Sequence, residues 1–588
     1  MKECKYCSDY QSRRSPETQP LFPQVYRQKF ASISVYLQHF SITSKAIVLI
    51  LLWTMLVGAV YHAAIGIVLM FLIHATPILL LGVSLPFIIL YSFVVIVFIF
   101  YPVNGFIADV YCGRFRMITI SLSVILISLI TFLSFFMIFF YVSVPNNVKP
   151  FLFVIVGLAL FITVLGIGGF SANIIQFGLD QLIDAPSRYQ AYFVHWSKWS
   201  YDALSFVIVG LFAYYSCPIN DTTPGVKLFA LPNAICIGLL IVLLVFSFWK
   251  RHWFHAEPGQ HNPYKIVFKV LNFARKNKYP LQRSAFTYSD DERPSRLDFA
   301  KERFGGPFTT EQVEDVKVLF RILVLLLAVG PVFAMDIPSS NVALMEVGLH
   351  IGSFRSEQSC SWDWIIVNSG LMHCIVSTIF LPVYILFLQR YAPRVLVRIG
   401  FGIIVFLLGI LSILAVDIAG HLHYYQNNTM CIFNAHLVNG TFLNPHLNMH
   451  WYYLVAPNVL LGIGPSVVTV SIFEFISAQS PYSMKGLFLG AFFTITGIFQ
   501  FLGSILIVPF AMLTEDAYHP GISCLFGYLT LILLVALIGF VLFFLMARRY
   551  KYRERDDRPY DQRFVIDVYN RYLNEVGENE ESYGSNTN

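Results

Sequence analysis

The chain has 588 residues, of which 56% are hydrophobic and only 13% are charged, and its mean hydropathy is +0.65. A soluble protein of this size does not have such a composition, so soluble enzyme classes are excluded and a polytopic membrane protein is indicated. The formal net charge of +6 follows from basic loops at one membrane face and indicates no nucleic-acid partner. The lipid bilayer is the first predicted partner.

The first segment, residues 1–45, is polar and contains no short apolar core. We therefore predict a cytosolic tail rather than a cleaved signal peptide. Cys4 and Cys7 form a C-x-x-C pair in this tail. Because no second pair accompanies it, we predict no metal site and no cofactor. No catalytic triad or phosphate-binding loop is recognisable, so we predict that the protein is not an enzyme.

Twelve apolar stretches, each about 20 residues or longer, are predicted to be membrane-spanning helices. They cover residues 46–73, 78–103, 117–142, 150–176, 191–214, 227–249, 317–337, 364–389, 395–418, 451–479, 485–513 and 523–547. The predicted fold class is an all-α membrane protein with six-helix bundles at 46–249 and 317–547, a cytosolic linker at 250–316 and a cytosolic tail at 548–588.

Basic residues cluster after the second, eighth and twelfth spans, which the positive-inside rule places in the cytosol together with both termini. The clusters are Arg114 and Arg116; Arg390, Arg394 and Arg398; and Arg548, Arg549, Lys551 and Arg553. Three N-x-[S/T] sequons, at Asn220, Asn427 and Asn439, fall on the opposite side, where glycans are added. We predict a multi-pass protein of the plasma membrane or the endolysosomal membranes.

The loop between the second and third spans has the sequence GFIADVYCGRFR. Gly105, Asp109, Gly113, Arg114 and Arg116 match the loop signature G-x-x-x-D-x-x-x-G-R-x-R of the major facilitator superfamily. Glycines let two helix ends approach, and Asp and Arg can pair across neighbouring ends, so we predict a gate that breaks when this face opens. Positive-inside anchoring is the alternative, but it explains only the arginines.

The linker contains YKIVFKVLNFARKNK, residues 264–278, in which apolar residues share one helix side and basic residues the other. This pattern predicts an amphipathic helix lying on the inner leaflet or on the helix bundle. A linker helix without either contact is the alternative interpretation.

Several stretches resemble the proton-dependent oligopeptide transporter family, also called the peptide transporter family, a branch of the major facilitator superfamily. They are GIGGFSANIIQFGLDQL (166–182), YFVHWSKWSYDALSF (192–206), FAMDIPSS (333–340), IIVNSGL (365–371), LPVYILFLQRYAPRVLVRIGFG (381–402) and FEFISAQSPYSMKG (473–486). The resemblance covers roughly residues 45–550. It implies two six-helix halves that rock around a midplane cavity, with a small-molecule or short-peptide substrate and protons as partners.

The resemblance also implies substrate-binding residues. Glu474 occupies the position of the family's tenth-helix Glu, which binds the peptide's amino terminus, and Asn368 that of an Asn which bonds the peptide backbone. Glu474 lies about 10 Å before Pro481 along the helix, too deep for a short side chain to reach water easily. A structural pair with Lys485 is the alternative for Glu474, and a buried, internally satisfied amide is the alternative for Asn368.

The resemblance is weaker in the first half of the chain. The family's first helix carries E-x-x-E-R, whereas Met55, Gly58 and Ala59 stand at those positions here. A second-helix His is replaced by Ser92 beside a retained Tyr91, a further substrate-binding candidate.

Proton coupling needs a group that binds a proton in one state and loses it in another. The remaining candidates within the spans are His62, Asp336, Glu474 and the Lys198/Asp202 pair. For His62 the alternative is a packing residue, and for Asp336 it is an acid at a helix end.

Lys198 and Asp202 lie four residues apart and therefore share one helix face. We hypothesise that Lys198 supplies the cation for a substrate carboxylate and that Asp202 holds it when the site is empty. A static pair that only neutralises two charges is the alternative.

The predicted function is secondary active transport of di- or tripeptides, or related small zwitterions, by alternating access and with proton coupling. One alternative is a family member with another substrate, such as nitrate, histidine or another metabolite. A second alternative is a transport-dead membrane sensor or scaffold, which the missing first-helix motif favours. The sequence leaves the oligomeric state open.

Overall fold

The computed structural model describes residues 45–63, 98–141, 149–183, 185–215, 222–255, 263–277, 279, 294–336, 369–424, 436–438, 441–443, 451–481, 484–511 and 525–552. The helices of this part are α1 (Lys45–Ala63), α2 (Tyr101–Ile107), α3 (Arg114–Tyr141), α4 (Lys149–Asp180), α5 (Ser187–Tyr215), α6 (Thr222–Trp249), α7 (Pro263–Lys276), α8 (Thr310–Val329), α9 (Ser369–Val383), α10 (Val395–Tyr424), α11 (Val455–Gln479), α12 (Lys485–Ile505), α13 (Val508–Ala511) and α14 (Leu525–Arg549). Short π-helices follow α2 (Ala108–Cys112) and α9 (Tyr384–Leu388).

The predicted all-α membrane architecture is confirmed. Eight of the described helices are long and apolar enough to cross a membrane, and two further apolar helices are shorter. Each predicted span overlaps a described helix, although the second is described only at 98–103 and the first and eighth only in part. A small antiparallel hairpin, β1 (His436–Val438) and β2 (Thr441–Leu443), lies between α10 and α11.

The seventh span begins earlier than the hydropathy pattern predicts. Helix α8 starts at Thr310 rather than at residue 317, because Thr309 and Gln312 form a capping box in which each side chain bonds the other's backbone amide. Such a box satisfies two amides that would otherwise lack partners at the start of a helix. The first two turns of α8 therefore extend beyond the apolar stretch.

Two helix pairs make the most extensive contacts between the halves. Helix α2 crosses α12, where Thr494 Oγ1 donates to the Phe98 carbonyl at 2.5 Å and Gly490 lies against the backbone of Tyr101. Helix α5 crosses α9, where Trp199 Nε1 donates to the Thr378 carbonyl at 3.1 Å. We call the end of the bundle where α2 ends and α3 begins the inner end, since the predicted topology places it in the cytosol.

The beginning of the linker is attached to the first half. Phe254 stacks on Trp53 with ring centroids 5.2 Å apart, and it also packs on Phe177. The Gln181 side chain makes two hydrogen bonds of 2.8 Å, one to the backbone amide and one to the carbonyl of His255. These contacts hold the chain that leaves α6 against α1 and α4.

The end of the linker is attached to α8 by charges. Asp298 accepts hydrogen bonds from Lys317 at 2.5 Å and from Ser295, and it pairs with Lys301 at 2.6 Å. Glu314 pairs with the same two lysines. Burial alone would raise the pKa of Asp298, but these hydrogen bonds outweigh it and hold that pKa well below its usual range. The network therefore stabilises the linker at any pH above the ordinary carboxyl pKa. This stabilisation is lost only when the pH falls far enough to protonate Asp298.

The amphipathic helix in the linker is α7, and its apolar side faces protein. Val267, Val270 and Ala274 are buried, whereas Lys265 and Lys269 are exposed. Of the predicted alternatives, the structure shows packing on the bundle.

Gly490 gives a test of the α2–α12 crossing. A Cβ at this position would lie 2.6 Å from backbone atoms of Tyr101 and Pro102, so Gly490→Ala should cost about 1–3 kcal/mol through overpacking. Gly157 in α4 has open space around it, and Gly157→Ala is the matched control. We expect a lower thermal unfolding midpoint in detergent for Gly490→Ala and no decrease for Gly157→Ala. Equal midpoints would contradict the close crossing.

Candidate functional site

Three groups of buried polar residues lie in the described helices: two at the inner end and one between α5 and α9. Five predicted residues lie outside the described part of the chain, namely Tyr91, Asn368, Asn220, Asn427 and Asn439. Their predicted roles stay predictions.

The first group, which we call the Arg114 cluster, joins the ends of α2, α3 and α4. Arg114 begins α3 and its guanidinium donates to Asp109 at 3.2 Å and to Asp180, the last residue of α4, at 2.6 Å. Gln176 donates to the other oxygen of Asp180 at 3.0 Å. All four side chains are buried, so the two carboxylates depend on this guanidinium for compensation of their charge.

The Arg114 cluster also reaches the second half of the protein. Asp109 accepts hydrogen bonds from the backbone amides of Gly486 at 3.1 Å and Leu487 at 3.4 Å. These amides belong to the first turn of α12, where amides lack partners within their own helix and the helix dipole favours a negative charge. Asp109 is therefore bound to Arg114 in its own half and to α12 in the other.

Two glycines of the loop signature permit this approach. A Cβ on Gly105 would overlap the backbone of Gly486, so only glycine lets α2 come this close to α12. Gly113 has a φ of 77°, a conformation that residues with a Cβ rarely adopt, and it separates the π-helix from α3. The structure thus brings Gly105, Asp109, Gly113 and Arg114 together. Arg116 is exposed, and its side chain has no partner among the described residues.

The second group, which we call the Arg398 cluster, contains Glu474. Arg398 lies in the first turn of α10 and donates to Glu474 Oε1 at 2.7 Å, and it also interacts electrostatically with Tyr384. Tyr384 in turn stacks on His195 of α5, with ring centroids 5.4 Å apart and planes 14° from parallel. Arg398, which the sequence presents as one of several loop arginines, is 7% exposed and lies inside the protein.

The third group, which we call the central cluster, contains the predicted pair. Lys198 Nζ lies 2.6 Å from both oxygens of Asp202. Ser377 of α9 donates a short hydrogen bond to Asp202. Asp202 lies in the first half and Ser377 in the second, so this hydrogen bond links the Lys198–Asp202 pair to helix α9 of the other half. The Lys198 ammonium also lies 5.7 Å from the centre of the Tyr201 ring.

Two histidines extend the central cluster. His62 of α1 bonds the Gly58 carbonyl through Nδ1 at 3.0 Å and packs edge-on against Tyr61 and Tyr201. His373 of α9, which the sequence analysis did not select, bonds the Leu461 carbonyl at 3.3 Å and interacts electrostatically with Lys198 and Asp202. A His within an apolar run is the signal that could have identified it.

Asp336 lies at the end of the short 3₁₀-helix Gly330–Met335 that extends α8. It is buried, and Gln500 of α12 donates to its Oδ2 at 2.7 Å. It also interacts electrostatically with Tyr61 of α1 and with His373. The side chain is therefore held inside the protein rather than at a solvated helix end.

The structure is closely packed at two of the three first-helix positions where the family carries charged residues. A Cβ on Gly58 would overlap the Tyr201 carbonyl, and Ala59 is completely buried. Helix α1 thus packs so closely against α5 at Gly58 that a long charged side chain would not fit there. The charges of this region are carried instead by Lys198 and Asp202 one helix away.

Residues 121–520 match the family model described as PTR2: POT family. The chain belongs to the POT family. This family consists of membrane transporters, and the protein is a membrane transporter of the major facilitator fold.

Curated relatives are distant but extensive. Solute carrier family 15 member 3 of Mus musculus is 23% identical over 514 residues, covering 79% of this chain and 84% of the relative. Protein NRT1/PTR family 6.4 of Arabidopsis thaliana is 22% identical, covering 76% of this chain and 80% of the relative.

Solved structures agree on the fold. An auto-inhibited POT family peptide transporter superposes with a TM-score of 0.59 at 18% identity, covering 88% of this chain and 99% of that one. The POT family transporter PepTSo superposes with a TM-score of 0.58 at 15% identity, with coverages of 86% and 99%. At these identities the likeness shows the fold alone.

Asp109→Asn tests the Arg114 cluster as a gate in this POT transporter. The variant removes the charge that Arg114 and the α12 amides share, so it weakens the inner contact by about 1.5–3 kcal/mol, the range for hydrogen bonds to charged groups. We expect normal membrane insertion and slower transport. Arg116→Gln removes an exposed charge from the same loop and is the control. Normal transport by Asp109→Asn at normal surface expression would show that the cluster is not a gate.

Proposed function

We propose that this POT family member moves di- or tripeptides, or related small zwitterions, across the membrane by alternating access and coupled to protons. The observation that carries the proposal is the placement of opposite charges in the two halves. Lys198, a cation within the membrane-spanning α5, belongs to the first half, and Glu474, an anion within α11, belongs to the second. A zwitterion carries the two complementary charges.

Both charges are held by partners that a substrate could replace. Lys198 is bound by Asp202, and Glu474 is bound by Arg398. A buried charge without a partner is strongly unfavourable, so each group needs such a partner whenever the site is empty. A substrate carboxylate would take the place of Asp202 at Lys198, and a substrate ammonium group would take the place of Arg398 at Glu474.

The central cluster offers groups that could bind the transported proton. Asp202 lies at the contact between the halves, because it is bonded by both Lys198 and Ser377. Movement of the halves would separate it from Ser377, which would change the environment of the carboxylate. His62 and His373 interact electrostatically with the same pair, and Asp336 interacts with His373, so we place the coupling step in this cluster.

A second candidate function is a transport-dead sensor. The observation that favours it is the close packing at Gly58 and Ala59, which leaves no place for the family's first-helix charges. The linker, attached to both halves through Phe254 and Asp298, would then report ligand binding to the cytosol.

Reconstituted protein separates these functions. We expect proteoliposomes to take up labelled dialanine, and an inward proton gradient to increase the rate. Binding of dialanine without counterflow would favour the sensor. Uptake that is unaffected by the gradient would remove proton coupling from the proposal.

Glu474→Gln tests the ammonium site. The variant keeps the size of the side chain but removes its charge, so dialanine affinity should fall by about 1.5–3 kcal/mol. Acetylation of the substrate amine should then cost little more, because both changes remove one contact. If the affinity losses from the variant and from acetylation add up, the two changes do not remove one shared contact.

The exchange of Lys198 and Asp202 tests the carboxylate site. In Lys198→Asp/Asp202→Lys the net charge is kept, but the cation moves by one helical turn, about 5.4 Å. We expect a folded, surface-expressed protein with weakened binding of free-carboxylate peptides and a smaller change for amidated peptides. Wild-type affinity for free-carboxylate peptides would show that the pair is only structural.

A further inference from the structure

Basic side chains at the inner ends of α1 and α6 converge on one aromatic ring. Lys45 is the first described residue of α1, Lys250 follows α6, and Trp253 ends the short 3₁₀-helix that comes next. The ammonium groups of Lys45 and Lys250 lie 5.8 Å and 5.5 Å from the centre of the Trp253 ring. Two cations that are far apart in the sequence are therefore held beside one indole.

A third cation and a second indole belong to the same surface. The Arg251 guanidinium lies 5.8 Å from the centre of the Phe115 ring at the start of α3. The Lys250 ammonium group lies 4.3 Å from the centre of the Trp249 ring, and Trp249 is 72% exposed. Lys45 and Arg251 are exposed as well. We call this surface the Trp253 surface, and it consists of Lys45, Trp249, Lys250, Arg251 and Trp253.

The three positive charges of the Trp253 surface are not neutralised by the described part of the chain. Lys45, Lys250 and Arg251 form no ion pair with a carboxylate of the described residues. Contacts with aromatic rings orient these cations but leave their net charge in place. Like charges held close together repel each other, and more strongly where water is scarce. The surface therefore favours a bound anion.

The position of the Trp253 surface favours a lipid as the source of this anion. Trp249 is the last residue of the spanning helix α6, so the side chains exposed here lie at the boundary between hydrocarbon and cytosol. The cytosolic leaflet carries anionic lipids that attract basic residues over a short distance. An exposed indole beside the cations also needs an apolar neighbour. A phospholipid offers both the negative charge and the apolar chains, whereas an acidic protein segment offers only the charge.

The Trp253 surface lies beside the point where the linker is attached to the first half. Phe254, the next residue in the chain, is buried and packs on Phe115 with ring centroids 5.4 Å apart, in addition to its contacts with α1 and α4. Lys250 and Arg251 come shortly before this ring in the chain. Repulsion among the cations of the surface therefore acts against the insertion of Phe254, and an anion that relieves the repulsion stabilises the attachment.

We propose that the Trp253 surface binds the headgroup of an anionic phospholipid of the inner leaflet, and that this lipid stabilises the attachment of the linker to the first half. The negative charge of the headgroup compensates Lys45 and Lys250, and the exposed Trp249 ring packs on the adjoining part of the lipid. Anionic lipid is thus a ligand of the inner end. The inference does not depend on which substrate the transporter moves.

Hydrogen–deuterium exchange of the full chain tests this lipid site in nanodiscs of phosphatidylcholine alone and of phosphatidylcholine with an equal amount of phosphatidylserine. The readout is the exchange of the Trp253, Phe254 and His255 amides, which are all hydrogen-bonded in the attached linker. Phosphatidylserine should slow this exchange by about fivefold or more, the factor for one basic residue near an anionic surface. High salt should reduce the effect. Equal exchange in the two kinds of nanodisc would overturn the proposal.

Two double variants separate the Trp253 surface from general surface charge. Lys45→Gln/Lys250→Gln removes two cations of the surface, so the exchange of the three amides should no longer respond to phosphatidylserine. Lys265→Gln/Lys269→Gln is the matched control, because it removes two equal charges from exposed positions of α7 in the same linker. This control should respond as the wild type does. Loss of the response in both variants, or in neither, would contradict a site at this surface.

A charge reversal and a soluble anion complete the test. Lys45→Glu supplies the missing negative charge from the protein itself, at an exposed position. Exchange of the three amides in this variant should already be slow in phosphatidylcholine and should not respond to phosphatidylserine. A full response in Lys45→Glu would show that charge compensation at this surface is not the cause. Inorganic phosphate added to wild-type protein in phosphatidylcholine should have no effect, and an effect equal to that of phosphatidylserine would overturn the lipid as the ligand.

Discussion

The described arrangement of the two halves depends on the buried carboxylate of Asp109. It binds the Arg114 guanidinium in its own half and two backbone amides of α12 in the other, so one side chain joins the halves at the inner end. A buried charge that loses its partners costs several kcal/mol, so α2 and α12 separate only if other groups compensate Asp109. The glycine at position 105 makes the contact possible, because any larger residue would hold the helices apart.

The same electrostatic constraint organises the rest of the interior. Asp180 and Asp202 are buried and Glu474 is partly buried, and each of these carboxylates has a basic partner at 2.6–2.7 Å. Under the proposed function, a pair that a substrate or a proton replaces links occupancy of the site to movement of the halves. The pairs at the inner end and in the central cluster lie beside the contacts between halves, which is where such a link has mechanical effect.

The chain differs from the pattern of its family most in the first helix, and the structure gives a physical reason. Close packing of α1 on α5 at Gly58 leaves no volume for acidic and basic side chains. The polar chemistry of the first half is concentrated on α5 instead, in Lys198, Asp202 and the neighbouring Tyr201. Under the proposed function, substrate recognition and proton coupling would therefore use α5 and α9 more than α1.

The all-α membrane class and the approximate positions of the described spans could be predicted from the sequence, because hydrocarbon imposes a length and an apolar composition that can be counted. It also determined the pairing of Lys198 with Asp202, since residues four apart share a helix face. The partners of Glu474 were decided only by the tertiary structure. Arg398 is 76 residues away along the chain, and the Tyr384–His195 stack joins different halves, so no local spacing encodes either contact. Only the packing of the helices brings Arg398 into the protein and places it beside Glu474.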